Sequence, residues 1–253
     1  MEDLENSINK QDGMSFLKGF TAARIGIGRT GTSIPVEQYL DLKLAHAHAR
    51  DAVYSSLEID SLMDSVANFN LPVLCLESKV ADRAEYLQRP DLGRQLSQHS
   101  VKELAKQIKN FDVLICIADG LSALAVQQNA SELLALLIPT LLKDGLTIGP
   151  ICLIRQARVA VADDVAQNLQ AKLALILIGE RPGLSSVDSM GAYLTYNPKK
   201  GSTDELRNCV SNIRRAGLPT QIAAGKIIYL IREAFRQKKS GVTLKDNQDL
   251  FLD

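Results

Sequence analysis

The chain has no tryptophan, and aromatic residues make up only 5% of its 253 residues. Few rings are therefore on hand for bases to stack on, which argues against a single-strand nucleic-acid platform. Neither sign of charge is in excess, since Lys plus Arg and Asp plus Glu both number 29. A balanced chain carries no electrostatic footprint for nucleic acid or an anionic membrane surface. Long apolar runs are also missing: the longest, ELLALLIPTLL (132–142), is interrupted by Pro139 and is too short to cross a bilayer. The start, MEDLENSINKQDG, lacks the basic residues and apolar core of a secretory signal. Cysteine is sparse and scattered, at Cys75, Cys116, Cys152 and Cys209, with no C-x-x-C. The expectation is a reduced, cytoplasmic protein without disulfides, its cysteines acting mostly as small hydrophobes.

What is present is ordinary globular material, 46% apolar and 23% charged, arranged in an alternating pattern. Residues 1–20 are polar and unperiodic and read as a tail or docking arm. From Ile34 to Val66 apolar residues recur at three- and four-residue spacing, with Ser33 as a candidate cap and Pro35 in the first turn. That spacing predicts a long amphipathic helix or two in succession. LPVLCLES (71–78) and FDVLICIADG (111–120) read as buried strands, and SVKELAKQIKN (100–110) as a helix. Residues 121–143 form an apolar helix that needs cover on more than one side, by the core or by a partner. GPICLIR and RVAVADD read as short strands, followed by a helical turn at 165–170 and the strand LALILIG. GAYLTYNP reads as a strand, STDELRNCVSNI as a helix capped by Ser202, and PTQIAAGKIIYLIREAFRQKK as a helix. The pattern predicts an α/β fold: a largely parallel sheet with helices on both faces at residues 70–253, preceded by an N-terminal arm and helical extension at 1–69.

Three motifs invite a chemical reading. GIGRTG places Gly26, Gly28 and Gly31 in the spacing of a dinucleotide fingerprint. Its preceding TAARI is a poor strand, and Asp51 falls within a helical stretch instead of at a strand end, so dinucleotide binding is rejected. DGLSAL puts Ser122 at a strand–helix bend, but Leu124 stands where a nucleophile elbow has glycine. The only histidines are His46, His48 and His99, and none follows Ser122. Ser122 is better read as a helix cap. His46 and His48, two apart on a helix, point to different faces and cannot share a metal. The remaining stretch of interest is LALILIGERPGLSS (173–186), where a buried strand runs straight into Glu180. Strand exits of that kind hold ligands in open α/β sheets. No acid, base or nucleophile cluster accompanies it, which suggests an enzyme component completed by another subunit.

ADRAEYLQRPDLGRQLS (81–97), LIGERPGLSSVDSMGAYLTY (177–196) and DELRNCVSNIR (204–214) resemble the small (light) subunit of ethanolamine ammonia-lyase. ARIGIGRTGTSIP, HAHARDAV and IADGLSALAV fit the same family, in order, so the resemblance covers about residues 22–236. It implies one component of a radical lyase that uses adenosylcobalamin to convert ethanolamine to acetaldehyde and ammonia. The implied partner is a large subunit, a TIM barrel carrying the substrate and the main catalytic groups, in a hetero-oligomer of several large/small pairs. This chain would be a Rossmann-like domain closing over the cobalamin. By position, the family's cobalamin contacts fall on Val159, Glu180 and Cys209.

These residue types suit that ligand, an amide-fringed ring with a ribose and a phosphate on its tail, which needs apolar walls and a few placed polar groups. Val159 would be wall, Glu180 an acceptor for amide or hydroxyl donors, and Cys209 a small residue permitting close approach. Otherwise Glu180 would be a surface carboxylate paired with Arg181 or Arg158, Val159 a core strand residue and Cys209 a helix-packing residue. Ser185, Ser186 and backbone N–H groups of the RPGLSS turn could add donors. The chain has no D-x-H-x-x-G motif, so the cobalamin is expected with its own base on cobalt. Family members often carry a longer segment before Ala-Arg-Ile, implied to direct the enzyme to a bacterial microcompartment, and about twenty residues precede it here. The rival from another class is a non-enzymatic cobalamin- or nucleotide-binding module.

Overall fold

The computed structural model describes residues 9–10 and 15–247. Much of the expected tail and arm, residues 1–8 and 11–14, lies outside the described residues. The architecture is α/β: one six-stranded sheet, mostly parallel, with helices against it. Its strands are β1 (Val73–Glu77), β2 (Val113–Ala118), β3 (Ile148–Arg155), β4 (Leu173–Gly179), β5 (Met190–Tyr196) and β6 (Arg207–Ile213). Their spatial order is β1-β3-β2-β4-β5-β6. The first four are mutually parallel, while β5 runs antiparallel to both β4 and β6. Every residue of β2 and β4 is buried, as expected of unbroken apolar runs in the middle of a sheet.

Alternate side chains of these strands feed two separate cores. Ile115, Ile117, Leu153, Leu175 and Leu177 point to one face, and Leu114, Cys116, Ile154, Ile176 and Ile178 to the other. The first face is covered by α2 (Ile59–Val66), α5 (Ala123–Lys143) and α7 (Thr220–Gln237), the second by α4 (Gln98–Ala105) and α6 (Val161–Leu169), and the short α3 (Arg83–Gln88) follows β1. Leu133, Leu134 and Leu137 of α5 are wholly buried between the sheet and α7, so the most apolar helix is core and not an uncovered face. No described helix is long and apolar enough to cross a membrane.

Residues 34–66 form two helices in succession, the second of the two forms expected, α1 (Val36–Tyr54) and α2, because Ser55 turns extended after α1. Several other local expectations are corrected. Ser33 is not the cap: its backbone pairs with Thr30 in a turn, and the residue before α1 is Pro35. Nor is α1 half-covered, since only Ala52 is buried and Leu40 and Leu44 remain 57% and 56% exposed. β1 is an edge strand with Cys75 exposed, so LPVLCLES is not a buried strand. RVAVADD is the start of α6 and not a strand; Asp163 and Asp164 in its first turn favour the positive end of the helix dipole. STDELRNCVSNI is not a helix. A single 3₁₀ turn precedes β6, in which Arg207, Val210 and Ile213 are buried and Cys209, Ser211 and Asn212 exposed. Asn, Ser and β-branched residues are weak helix formers, and pairing with β5 decides the matter.

The buried end of β6 carries its own anchor. Arg207 has a side chain only 3% exposed, bonded to Asp163 of α6 at 2.7 Å and to the Ser202 carbonyl at 2.7 Å. It also donates to Thr195 Oγ1 at 3.1 Å, its partner across the antiparallel β5–β6 ladder, so that β5, β6 and α6 meet at one side chain. An ion pair this dry is weak as net stabilisation but costly to break from one side.

Candidate functional site

The chain leaves β2 toward β3 and leaves β4 toward β5, so the connections of two neighbouring strands diverge at their carboxyl ends. Such a divergence opens a crevice at the sheet edge where ligands sit. Two glycines let the walls approach. Gly120, at φ +57°, turns the chain after β2, and a Cβ on Gly179 would run into the Ser122 carbonyl oxygen. The Leu121 N–H donates to Gly179 O at 2.9 Å, closing the contact. Ser122 then caps α5, as its sequence position suggested, accepting from Ala125 N at 3.3 Å and donating to Val187 O at 2.7 Å. The crevice is a cleft of about 430 Å³, walled by Tyr86, Leu121, Arg158, Val159, Glu180 and Tyr193 among others.

Glu180 leaves β4 into this cleft. It forms no ion pair with Arg158 or Arg181 within 4.0 Å among the described residues. Its Oε2 instead accepts from the Ser189 hydroxyl at 2.6 Å and from the Asn212 N–H at 3.1 Å. These bonds clamp the carboxylate between β4, β5 and β6. Both fall on one oxygen, so Oε1 has no protein donor among the described residues. A fixed carboxylate with a spare acceptor can take an N–H or O–H from a ligand.

Opposite Glu180 stands the turn between β3 and α6, held from every side. Asp119, 3% exposed at the end of β2, accepts from Gly120 N at 2.9 Å, Ala157 N at 3.1 Å and Gln156 N at 2.8 Å. The Ser78 hydroxyl donates to Gln156 O at 2.7 Å, and the Tyr86 hydroxyl to Ala157 O at 3.0 Å. These bonds hold Gln156 at φ +53°, a conformation L residues avoid. The turn thus presents Arg158 and Val159 to the cleft. Val159 is half-buried, packed against the α4/α6 core, and it is a turn residue and not the strand residue expected.

Burial shapes the titrating groups around the cleft. It pushes the Asp119 carboxyl above its ordinary value, against the lowering effect of its backbone donors and Arg83, 3.8 Å away. The Tyr86 hydroxyl is also pushed well up by burial, as is that of Tyr193.

The structure brings Val159 and Glu180 to one cleft, whereas Cys209 lies one strand farther out. It sits directly across from Tyr193 in the β5–β6 register, its thiol interacting with that residue's hydroxyl. Burial raises the Cys209 thiol above its ordinary value, only partly offset by Tyr193. Ser185 and Ser186 do not line the cleft. The RPGLSS turn closes on itself between Gly183 and Ser186, and Ser185 contacts Arg24 and Ala22 of the N-terminal segment. The histidines stand elsewhere, His46 and His48 on the exposed α1 and His99 in α4. Reading the sequence missed Asp119, Tyr86 and Tyr193. Only Asp119 left a signal, an acidic residue directly after an unbroken buried strand.

Comparison with known proteins matches residues 11–245 to the ethanolamine ammonia-lyase light chain (EutC) family. An ethanolamine ammonia-lyase small subunit of Pseudomonas aeruginosa is 47% identical over 238 residues, covering 92% of this chain and 87% of its own. Its counterpart in Pseudomonas putida is also 47% identical, with 92% and 88% covered. That of Pseudomonas fluorescens is 49% identical over 234 residues, with 91% and 84% covered. These similarities show that the chain belongs to the small (light) subunit family of ethanolamine ammonia-lyase, a component of a lyase.

Proposed function

We propose that this chain seats and encloses adenosylcobalamin against a catalytic large subunit that converts ethanolamine to acetaldehyde and ammonia. The observation that carries the reading is that Val159 and Glu180, far apart in sequence, wall one cleft where the strand connections diverge. At about 430 Å³ the cleft has the size of a pocket for one drug-sized ligand, too small to enclose a corrin with its tail. It suits an edge of the cofactor, with the remainder covered by the partner. The donor set fits: apolar wall from Val159 and Leu121, a spare carboxylate oxygen on Glu180, and the Tyr193–Cys209 rim. When bound, the cofactor supplies homolysis and radical rearrangement, which no side chain provides. The residues of this chain orient it and keep water out, Glu180 by accepting an amide or hydroxyl hydrogen, Val159 by packing, and Cys209 by supporting Tyr193.

In this reading residues 70–253 are a Rossmann-like cobalamin-binding domain, and residues 1–69 are an arm and helical extension. No histidine of this chain lines the cleft among the described residues, so the cobalamin would keep its own base on cobalt. The assembly would be a hetero-oligomer of several large/small pairs, cytoplasmic and housed in a bacterial microcompartment.

The test is ammonia release from ethanolamine by a family large subunit with adenosylcobalamin, with and without this chain. Activity only with the chain present, reduced at least tenfold in affinity for cobalamin by Glu180→Ala, is the expected result. A large subunit equally active alone would overturn the proposal.

A further inference from the structure

Of the two arginines against Tyr86, one has its charge answered and one does not. Arg83 lies 4.5 Å from the ring centroid, donates to Val53 O at 2.7 Å and sits 3.8 Å from the Asp119 carboxylate. Arg158 covers the same ring at 4.1 Å and donates one Nη2 bond to Tyr86 O at 3.0 Å. Its Nε is buried without a partner, Nη1 has no acceptor, and no carboxylate oxygen lies within 4.0 Å among the described residues. Folding has nevertheless fixed this side chain with care. The Arg158 N–H donates to Gly93 O at 2.8 Å, and a Cβ on Gly93 would stand 2.9 Å from Arg158 Cγ. The segment 81–97 thus supplies the ring, the carbonyls and the missing side chain that hold one guanidinium on the cleft wall. A half-buried guanidinium with open donors and no counter-charge, just ahead of the α6 N-terminus, is arranged for an anion.

We propose that Arg158 is the subsite for the phosphodiester on the nucleotide tail of the cofactor. The inference rests on the cleft being the cobalamin site. The amide fringe of the corrin is neutral, and the tail's phosphodiester is the group whose charge and paired oxygens match a planar fork of N–H donors. Glu180 on the facing wall, with its spare Oε1, would then receive an amide or hydroxyl hydrogen of the same ligand. Arg158 and Glu180 thus offer the ligand a cation and a carboxylate from two different turns, and Arg181 beside Glu180 also lines the cleft.

The experiment compares cobinamide, which lacks the phosphate and the base, with cobinamide phosphate, which carries the phosphate alone. Binding of each to the assembled large/small complex is followed by absorbance, using wild-type chain, Arg158→Met and Arg158→Lys. The wild type is expected to prefer cobinamide phosphate on the order of 10- to 100-fold, as a charge-assisted bond to a phosphate contributes. Arg158→Met should reduce the preference to near unity, and Arg158→Lys should keep part of it. The preference should also shrink at high salt. A wild type that does not discriminate overturns the assignment without recourse to any variant. So does Arg158→Met with its preference intact, which would pass the role to Arg181. Failure of the wild-type complex to bind intact cobalamin would instead overturn the cleft reading itself. Circular dichroism and thermal melting of each complex separate a lost contact from a lost fold.

Discussion

Replacing Asp119 removes the pin between the end of β2 and the turn from β3 to α6, and the size of the effect follows from its bonds. The carboxylate accepts three backbone N–H groups, two on Oδ1 and one on Oδ2, and lies 3.8 Å from Arg83. Burial raises its pKa, so desolvation already offsets much of what the charged form gains, and the cost of substitution is set by stranded donors. Asp119→Ala strands all three, at about 1–3 kcal/mol each before relaxation, and leaves Arg83 without its carboxylate. Water reaching the cleft recovers part of this, and a loss of about 4 kcal/mol is expected. Asp119→Asn can keep its oxygen toward Gly120 and Ala157 but turns its own N–H groups toward Gln156 N, costing about 2 kcal/mol. The assay is equilibrium urea unfolding followed by far-ultraviolet circular dichroism. A raised folded pKa also fixes the pH trend: this group's contribution is fully present below the ordinary value of 3.8 and is lost as pH rises through the folded value. That slope should vanish in Asp119→Asn. An alanine variant within about 1 kcal/mol of wild type, or an asparagine variant worse than alanine, would refute the reasoning.

Arg207→Ala leaves Asp163 buried without its cation and should destabilise the fold by about 3–5 kcal/mol, measured by the same unfolding assay. Gly179→Ala places a methyl group against the Ser122 carbonyl and should abolish soluble expression or lower the melting temperature sharply. Thiol labelling of the native chain should modify Cys75 and Cys209 but not Cys116 and Cys152, with all four reacting in denaturant. Both exposed thiols have raised pKa values through burial and should react more slowly than a free cysteine at pH 8. Docked large subunit with cobalamin should protect Cys209 and leave Cys75 labelled.

The sequence by itself determined those parts whose burial is uniform or whose turn chemistry is local. β2 and β4 are legible as unbroken apolar runs because both faces of a central strand meet helices, and Ser122 is legible as a cap because capping is a local bond. Glu180 was visible as a carboxylate at a strand exit, and the family resemblance pointed to Val159 and Cys209. Tertiary structure alone decided the rest. RNCVSNI has no strong preference of its own, and only hydrogen bonding to β5, with Arg207 drawn down to Asp163, makes it a strand. Whether the apolar α5 was core or contact surface depended on α7, which follows it by some eighty residues and closes over it. The cleft was least legible of all. Its anchoring atoms come from residues 78, 86, 93, 119 and 156–158, which strand crossovers bring within hydrogen-bonding distance and no spacing rule connects. Arg158 in RQARVAV looks like surface charge until Tyr86, Gly93 and the absence of a neighbouring carboxylate among the described residues are seen around it.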